Sequence, residues 1–121
     1  MERKITIERK EKLAASGVKY FVVLNLGENE FNQRVGMRER LSLGEKSTFL
    51  NESNQVFALS NGDTVTIDTT KEKNSFFVVA FTSSGRLISE RIIVDREDFD
   101  ARYSVTLKLG IFQNHFEIEK V

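Results

Sequence analysis

The chain has no cysteine, no proline, no tryptophan and a single histidine. Without cysteine there is no disulfide, no thiolate nucleophile and no thiolate metal site. Without tryptophan, and with only two tyrosines, the flat rings on which sugars usually stack are scarce. Without proline, turns must rest on residues that tolerate positive φ and on side-chain caps. Net charge is absent too, since 18 basic residues balance 18 acidic ones, so no global field draws in nucleic acid or an anionic membrane. No long apolar run spans a bilayer, and the N-terminal MERKITIERKEKLAASG lacks the apolar core of a signal peptide. These absences point to a cytoplasmic protein, the alternative being an exported one whose signal has been removed.

What is present is a globular composition, 40% hydrophobic and 30% charged, in 121 residues. That length suits one domain, residues 1–121, with a core of its own. The apolar residues recur with the two-residue period of strands. In KITIERK, Ile5 and Ile7 alternate with polar neighbours, and in YSVTLKL, Tyr103, Val105, Leu107 and Leu109 alternate with Ser104, Thr106 and Lys108. Asn61-Gly62 between QVFALS and DTVTIDTT reads as a type I′ hairpin, and residues 55–94 as a four-stranded antiparallel meander. Gly110, where the apolar phase changes, reads as a bulge in preference to a hairpin at Gln113-Asn114. The helix candidates are short: ERKEKLAAS lacks a periodic apolar stripe, and RVGMRERLSL is broken by Gly36. The expected fold is an all-β antiparallel sandwich (jelly-roll or immunoglobulin-like) or a flattened barrel of about eight to ten strands.

Two runs break the rule that an antiparallel strand has one wet face. SFFVVAFT places Phe76, Val78 and Ala80 on one side and Phe77, Val79 and Phe81 on the other, and YFVVLNL is similar. Three accounts fit: cover by a loop or short helix within residues 27–48, contact with another subunit, or a pocket for an apolar ligand. Phe77, Val79, Phe81, Phe21 and Val23 are therefore the candidate interface residues.

The stretch from Ile5 to Asn25 resembles small bacterial β-sandwich domains of unknown function. The matching residues are Arg9-Lys10, Ser16, Lys19-Tyr20 and Leu24-Asn25, with Asn61-Gly62-Asp63 as a later turn. The resemblance implies a β fold and carries no active site.

No catalytic motif stands out. His115 falls on a wet strand face between Gln113 and Glu117, with no G-x-S-x-G elbow and no metal spacing around it, so no enzyme activity is expected. Asp95, Glu97, Asp98 and Asp100 form the densest acidic cluster and a weak Ca²⁺ candidate. A solvated turn is favoured, because the spacing is not an EF-hand and the tight-loop glycine is missing. Arg3, Lys4, Arg9, Lys10 and Lys12 are interleaved with Glu2, Glu8 and Glu11. That mixture suits an edge strand protected against aggregation better than a nucleic-acid surface. The reading is a non-catalytic structural or protein-interaction module, self-associating through apolar sheet faces or meeting a protein partner. No nucleic acid, membrane span or cofactor is implied. The alternative is a ligand-binding β-domain for a carbohydrate or a small apolar molecule.

Overall fold

The computed structural model describes residues 2–10, 18–27, 29–31, 55–82, 85–108 and 114–121, with the backbone alone considered at 81, 82, 85 and 86. Nine strands account for most of them: β1 Arg3–Arg9, β2 Tyr20–Leu24, β3 Val56–Leu59, β4 Thr64–Thr69, β5 Asn74–Thr82, β6 Gly85–Ile88, β7 Ile92–Val94, β8 Asp100–Lys108 and β9 His115–Lys120. They form two sheets. The first has the order β4-β1-β8-β9; the second has the order β3-β2-β5-β6, with β7 pairing the start of β5. This is a β-sandwich, not a closed barrel.

Between the sheets, alternate residues from each side interdigitate. Ile5, Ile7, Ile67, Tyr103, Val105 and Phe116 of the first sheet meet Tyr20, Val22, Leu59, Phe76, Val78 and Val94 of the second. Rings lock edge to face across the gap, Tyr20 on Phe116 at 5.0 Å and Phe76 on Tyr103 at 5.1 Å between centroids. Each large side chain hidden there is worth about 1.5–3 kcal/mol.

Three expectations change. Asn61-Gly62 is not a hairpin: β3 pairs with β2 and β4 pairs with β1, so the turn carries the chain from one sheet to the other. Gly62 has a φ of 79°, while Asn61 is not among the residues of positive φ. With the Asp63 N–H donating to Ser60 O at 3.0 Å, that pattern is a type II turn. A type I′ turn would need positive φ at both central residues, and its twist is what holds two-residue hairpins together. Residues 71–73 return the chain to the second sheet, where β5 pairs antiparallel with β6, so only the last link of the expected meander is kept. Second, β1 is not an edge strand. It lies between β4 and β8, and its pairing with β8 is parallel, Lys4 opposite Asp100 and Arg9 opposite Val105. Third, β8 and β9 pair antiparallel from Lys108 opposite His115 onward, so the phase change near Gly110 accompanies a hairpin connection and not a bulge within one strand. Leu109 and Gly110 lie outside the described residues, as does most of 27–48, the segment offered as a loop or short-helix cover for the double-faced strands.

Arg3 and Arg9 share the inward parity of Ile5 and Ile7, and both are buried. Arg9 Nη1 donates to Val18 O at 2.6 Å and to Leu59 O at 2.9 Å, and its guanidinium stacks 3.5 Å from the centre of the Tyr20 ring. Burial pulls the Arg9 pKa down and pushes the Tyr20 hydroxyl up, while their mutual attraction works against both shifts. Arg3 does the same work at the other end of β1. Its Nε and Nη2 donate to Arg96 O at 3.2 and 3.0 Å and its Nη1 to Lys71 O at 3.3 Å. One strand thus carries an aliphatic centre with a cationic clamp at each end, joined to carbonyls of the connections at Val18, Lys71 and Arg96 and of the end of β3 at Leu59.

Candidate interaction surface

The second faces of β2 and β5 come together as a separate apolar cluster. Phe21, Val23, Leu26, Phe31, Val56, Phe77 and Val79 pack on the outer side of the second sheet, and all are buried. Phe31 N–H donates to Gly27 O at 2.9 Å, an i to i−4 bond that curls the chain after β2 into a helical turn. That turn lays the Phe31 ring edge-on against Phe77 at 5.6 Å. Four of the interface candidates, Phe21, Val23, Phe77 and Val79, are therefore at most 2% exposed within a single chain. Their rings and methyls offer no free area to a partner. The backbone of Phe81 lies in β5; its side chain falls outside the described residues.

The cover stops short of the start of β5. There, Asn25 adopts a left-handed conformation, φ 54°, which Asn tolerates better than most residues. Its Nδ2 donates to Asn74 Oδ1 at 2.8 Å, and its Oδ1 accepts from Ser75 N–H at 2.9 Å. Asn74 Nδ2 in turn donates to Lys71 O, and Gln55 Nε2 to Leu24 O and Asn25 O. A shallow hollow of about 280 Å³ beside Asn25, Gln55 and Thr69 is lined by this clasp. Since Asn25 and Gln55 already spend their amides on it, the hollow reads as structural.

A larger open depression, about 470 Å³, lies on the outer side where β5 begins and β7 ends. Lys73, Ser75, Arg91, Ile93, Asp95 and Arg96 line it. Arg91 is held flat: Nη1 donates to Ser75 Oγ at 2.9 Å, Nη2 to Leu26 O at 2.8 Å, and the guanidinium lies 5.1 Å from the centre of the Phe77 ring. It closes the margin of the buried cluster with a cation. Next to it Ile93 is 80% exposed. Phe99, 43% exposed, lies nearby under the Arg3 guanidinium at 4.7 Å. The side chains of Lys73 and Arg96 have no hydrogen-bond or ion-pair partner among the described residues. The depression thus combines exposed apolar area with three cations and one carboxylate.

β6 and β7 are two halves of one interrupted edge. Val78 N–H donates to Ser89 Oγ and Ser89 N–H donates to Val78 O, both at 2.8 Å, so a side-chain oxygen stands in the ladder where the strand kinks. Among the described residues β7 pairs with β5 and with no other strand.

The acidic cluster is not gathered. Asp95 Oδ1 accepts from Glu97 N–H at 3.0 Å and Asp98 Oδ1 from Asp100 N–H at 3.3 Å, which are turn-forming bonds. Asp98 Oδ2 meets Lys120 Nζ at 3.0 Å, and Asp100 Oδ2 meets Arg102 at 3.4 Å. The contact with Lys120 holds the Asp98 carboxyl below its ordinary pKa and raises that of Lys120. No three acidic or histidine side chains among the described residues are placed to hold a metal ion. His115 is exposed at the start of β9, opposite Lys108. Sequence reasoning missed the inward Arg3 and Arg9, although their parity with Ile5 and Ile7 was there to be read. It also missed Ile93, because alternation alone does not say which strands stay at an edge.

The two sheets of the described residues define a β-sandwich. No family model matches the chain, and no curated protein matches it. It is similar to the T6SS lipoprotein TssJ1 from Pseudomonas aeruginosa, as seen in that protein's crystal structure, at 14% sequence identity and a TM-score of 0.39. The alignment covers 100% of this chain and 96% of that one. A likeness of that size carries no argument about function. No helix among the described residues is long and apolar enough to cross a membrane.

Proposed function

We propose that this domain is a non-catalytic protein-interaction module, and that the β7 edge with its adjoining depression is the contact surface. The observation that carries the reading is Ile93. It is 80% exposed on a sheet edge that no other described strand pairs, between Arg91 and Asp95 and close to Lys73 and Arg96. An apolar centre with a charged rim is the anatomy of a protein contact, in which burial supplies area and charge sets orientation. The described apolar side chains on both faces of β2 and β5 are buried within the chain, so the edge is where new area can be covered.

The test is a photoreactive benzophenone residue placed at Ile93 of the full chain in its native cells. The control site is Thr66, exposed on the outer side of the first sheet. A discrete protein adduct through position 93 and none through position 66 is expected. Absence of any adduct at 93, or equal labelling at both positions, would overturn the reading.

A further inference from the structure

The β7 edge carries a feature that ordinary exposure does not explain. Residues 90–96 read E-R-I-I-V-D-R, and about Ile93 the sequence is complementary to its own reverse. Two positions before Ile93 stands Arg91 and two after it Asp95; three before stands Glu90 and three after it Arg96. The immediate neighbours, Ile92 and Val94, are both aliphatic. If the segment ran antiparallel to a copy of itself with Ile93 opposite Ile93, every Arg91 would face an Asp95. Every Glu90 would face an Arg96 at the rim, and Ile92 would face Val94. Cross-strand pairs of these kinds are favourable in antiparallel ladders.

The backbone is turned the right way for such pairing. Ile93 lies opposite Ser75 of β5. Ser75 spends both main-chain groups on the other side, its O accepting from Asn25 N–H at 2.8 Å and its N–H donating to Asn25 Oδ1 at 2.9 Å. Ser75 and Ile93 are therefore a non-hydrogen-bonded pair. In an antiparallel ladder the main-chain groups of such a residue point to the opposite neighbour. Ile93 N–H and C=O accordingly face away from β5, toward the edge that no described strand occupies, where two copies of Ile93 related by a two-fold axis would exchange both hydrogen bonds.

We infer that the partner at this edge is a second copy of this chain, docked by antiparallel β7–β7 pairing about a two-fold axis at Ile93. The inference rests on the reading of this edge as the contact surface and names its occupant. A two-fold contact of this kind is closed, so it forms a dimer and not a filament. Three strand residues make a small contact, and its charged pairs are exposed, so the dimer is weak, rapidly exchanging and sensitive to salt.

The experiment is sedimentation equilibrium of the full chain over a wide concentration range, with three variants. All the replaced side chains are exposed, so folding is expected to survive, and circular dichroism checks it. The unmodified chain should pass from monomer to dimer, and added salt should shift it back. Ile93→Lys places two ammonium groups on the axis and should abolish the dimer. Glu90→Arg breaks both rim pairs and adds like-charge repulsion, and should weaken it about tenfold. Glu90→Arg combined with Arg96→Glu restores the complementarity and should restore the dimer. A monomer at every concentration, a dimer that survives Ile93→Lys, or a swap that does not restore association would overturn the inference. Crosslinking through position 93 separates the two levels of the argument. An adduct of twice the chain mass supports the dimer; a discrete adduct of another mass leaves the interaction module standing and removes the second copy as its partner.

Discussion

Replacing Phe77 by Ala probes the outer cluster and distinguishes internal core from interface. Phe77 is 2% exposed, meets Phe31 edge to face at 5.6 Å, and lies under the Arg91 guanidinium. Truncating a buried phenylalanine typically costs about 3–5 kcal/mol, as transfer energy lost plus the cavity left behind. Domains of this size hold about 5–15 kcal/mol in all, so the variant should lose a large part of its stability. Urea unfolding followed by far-ultraviolet circular dichroism is the suitable assay, since the chain has no tryptophan to report by fluorescence. The midpoint should fall while the slope with denaturant stays constant. A double-mutant cycle with Phe31→Ala then isolates the ring pair, with a coupling of about 0.5–1.5 kcal/mol. A loss under about 1 kcal/mol for Phe77→Ala, or no coupling to Phe31, would refute the account in which the chain covers its own second face.

Two further outcomes follow from the clamp and the clasp. Arg9→Ala leaves the carbonyls of Val18 and Leu59 without their cationic donor and should cost about 2–3 kcal/mol by chemical denaturation. Arg9→Lys should restore only part of that, because a lysine lacks the planar fork and the stacking on Tyr20. At Asn25, held at φ 54°, substitution by Ala should be worse than substitution by Gly by about 1 kcal/mol. Both variants lose the bonds to Asn74 and Ser75, and only Ala adds the left-handed strain; equal melting temperatures would contradict this.

Local pattern made much of the architecture legible. Alternation marked β1 and β8 and the double-faced runs marked β2 and β5, because a strand's two-residue period shows directly in the order of its side chains. The absence of any apolar stripe at helical spacing pointed to an all-β fold. The same period was enough to put Arg3 and Arg9 on the face of Ile5 and Ile7, yet their charge pulled the reading toward solvent. Buried guanidinium groups become tolerable when carbonyls converge on them. Those carbonyls come from Val18, Leu59, Lys71 and Arg96, far from β1 in sequence for all but Val18.

The sequence by itself determined which residues of a strand share a face, since sterics and solvation act over a few neighbouring residues; it did not show the break between β6 and β7 at Ser89. Only the tertiary structure decided which strands are neighbours. It placed β3 and β4 in different sheets across Asn61-Gly62, set β1 parallel to β8, and brought Phe31 over Phe77. Such pairings depend on long-range packing between residues far apart in the chain. The self-complementary order of residues 90–96 was also present in the sequence. It gained meaning only once the fold left β7 at an edge, with Ile93 bare and its main-chain groups turned outward.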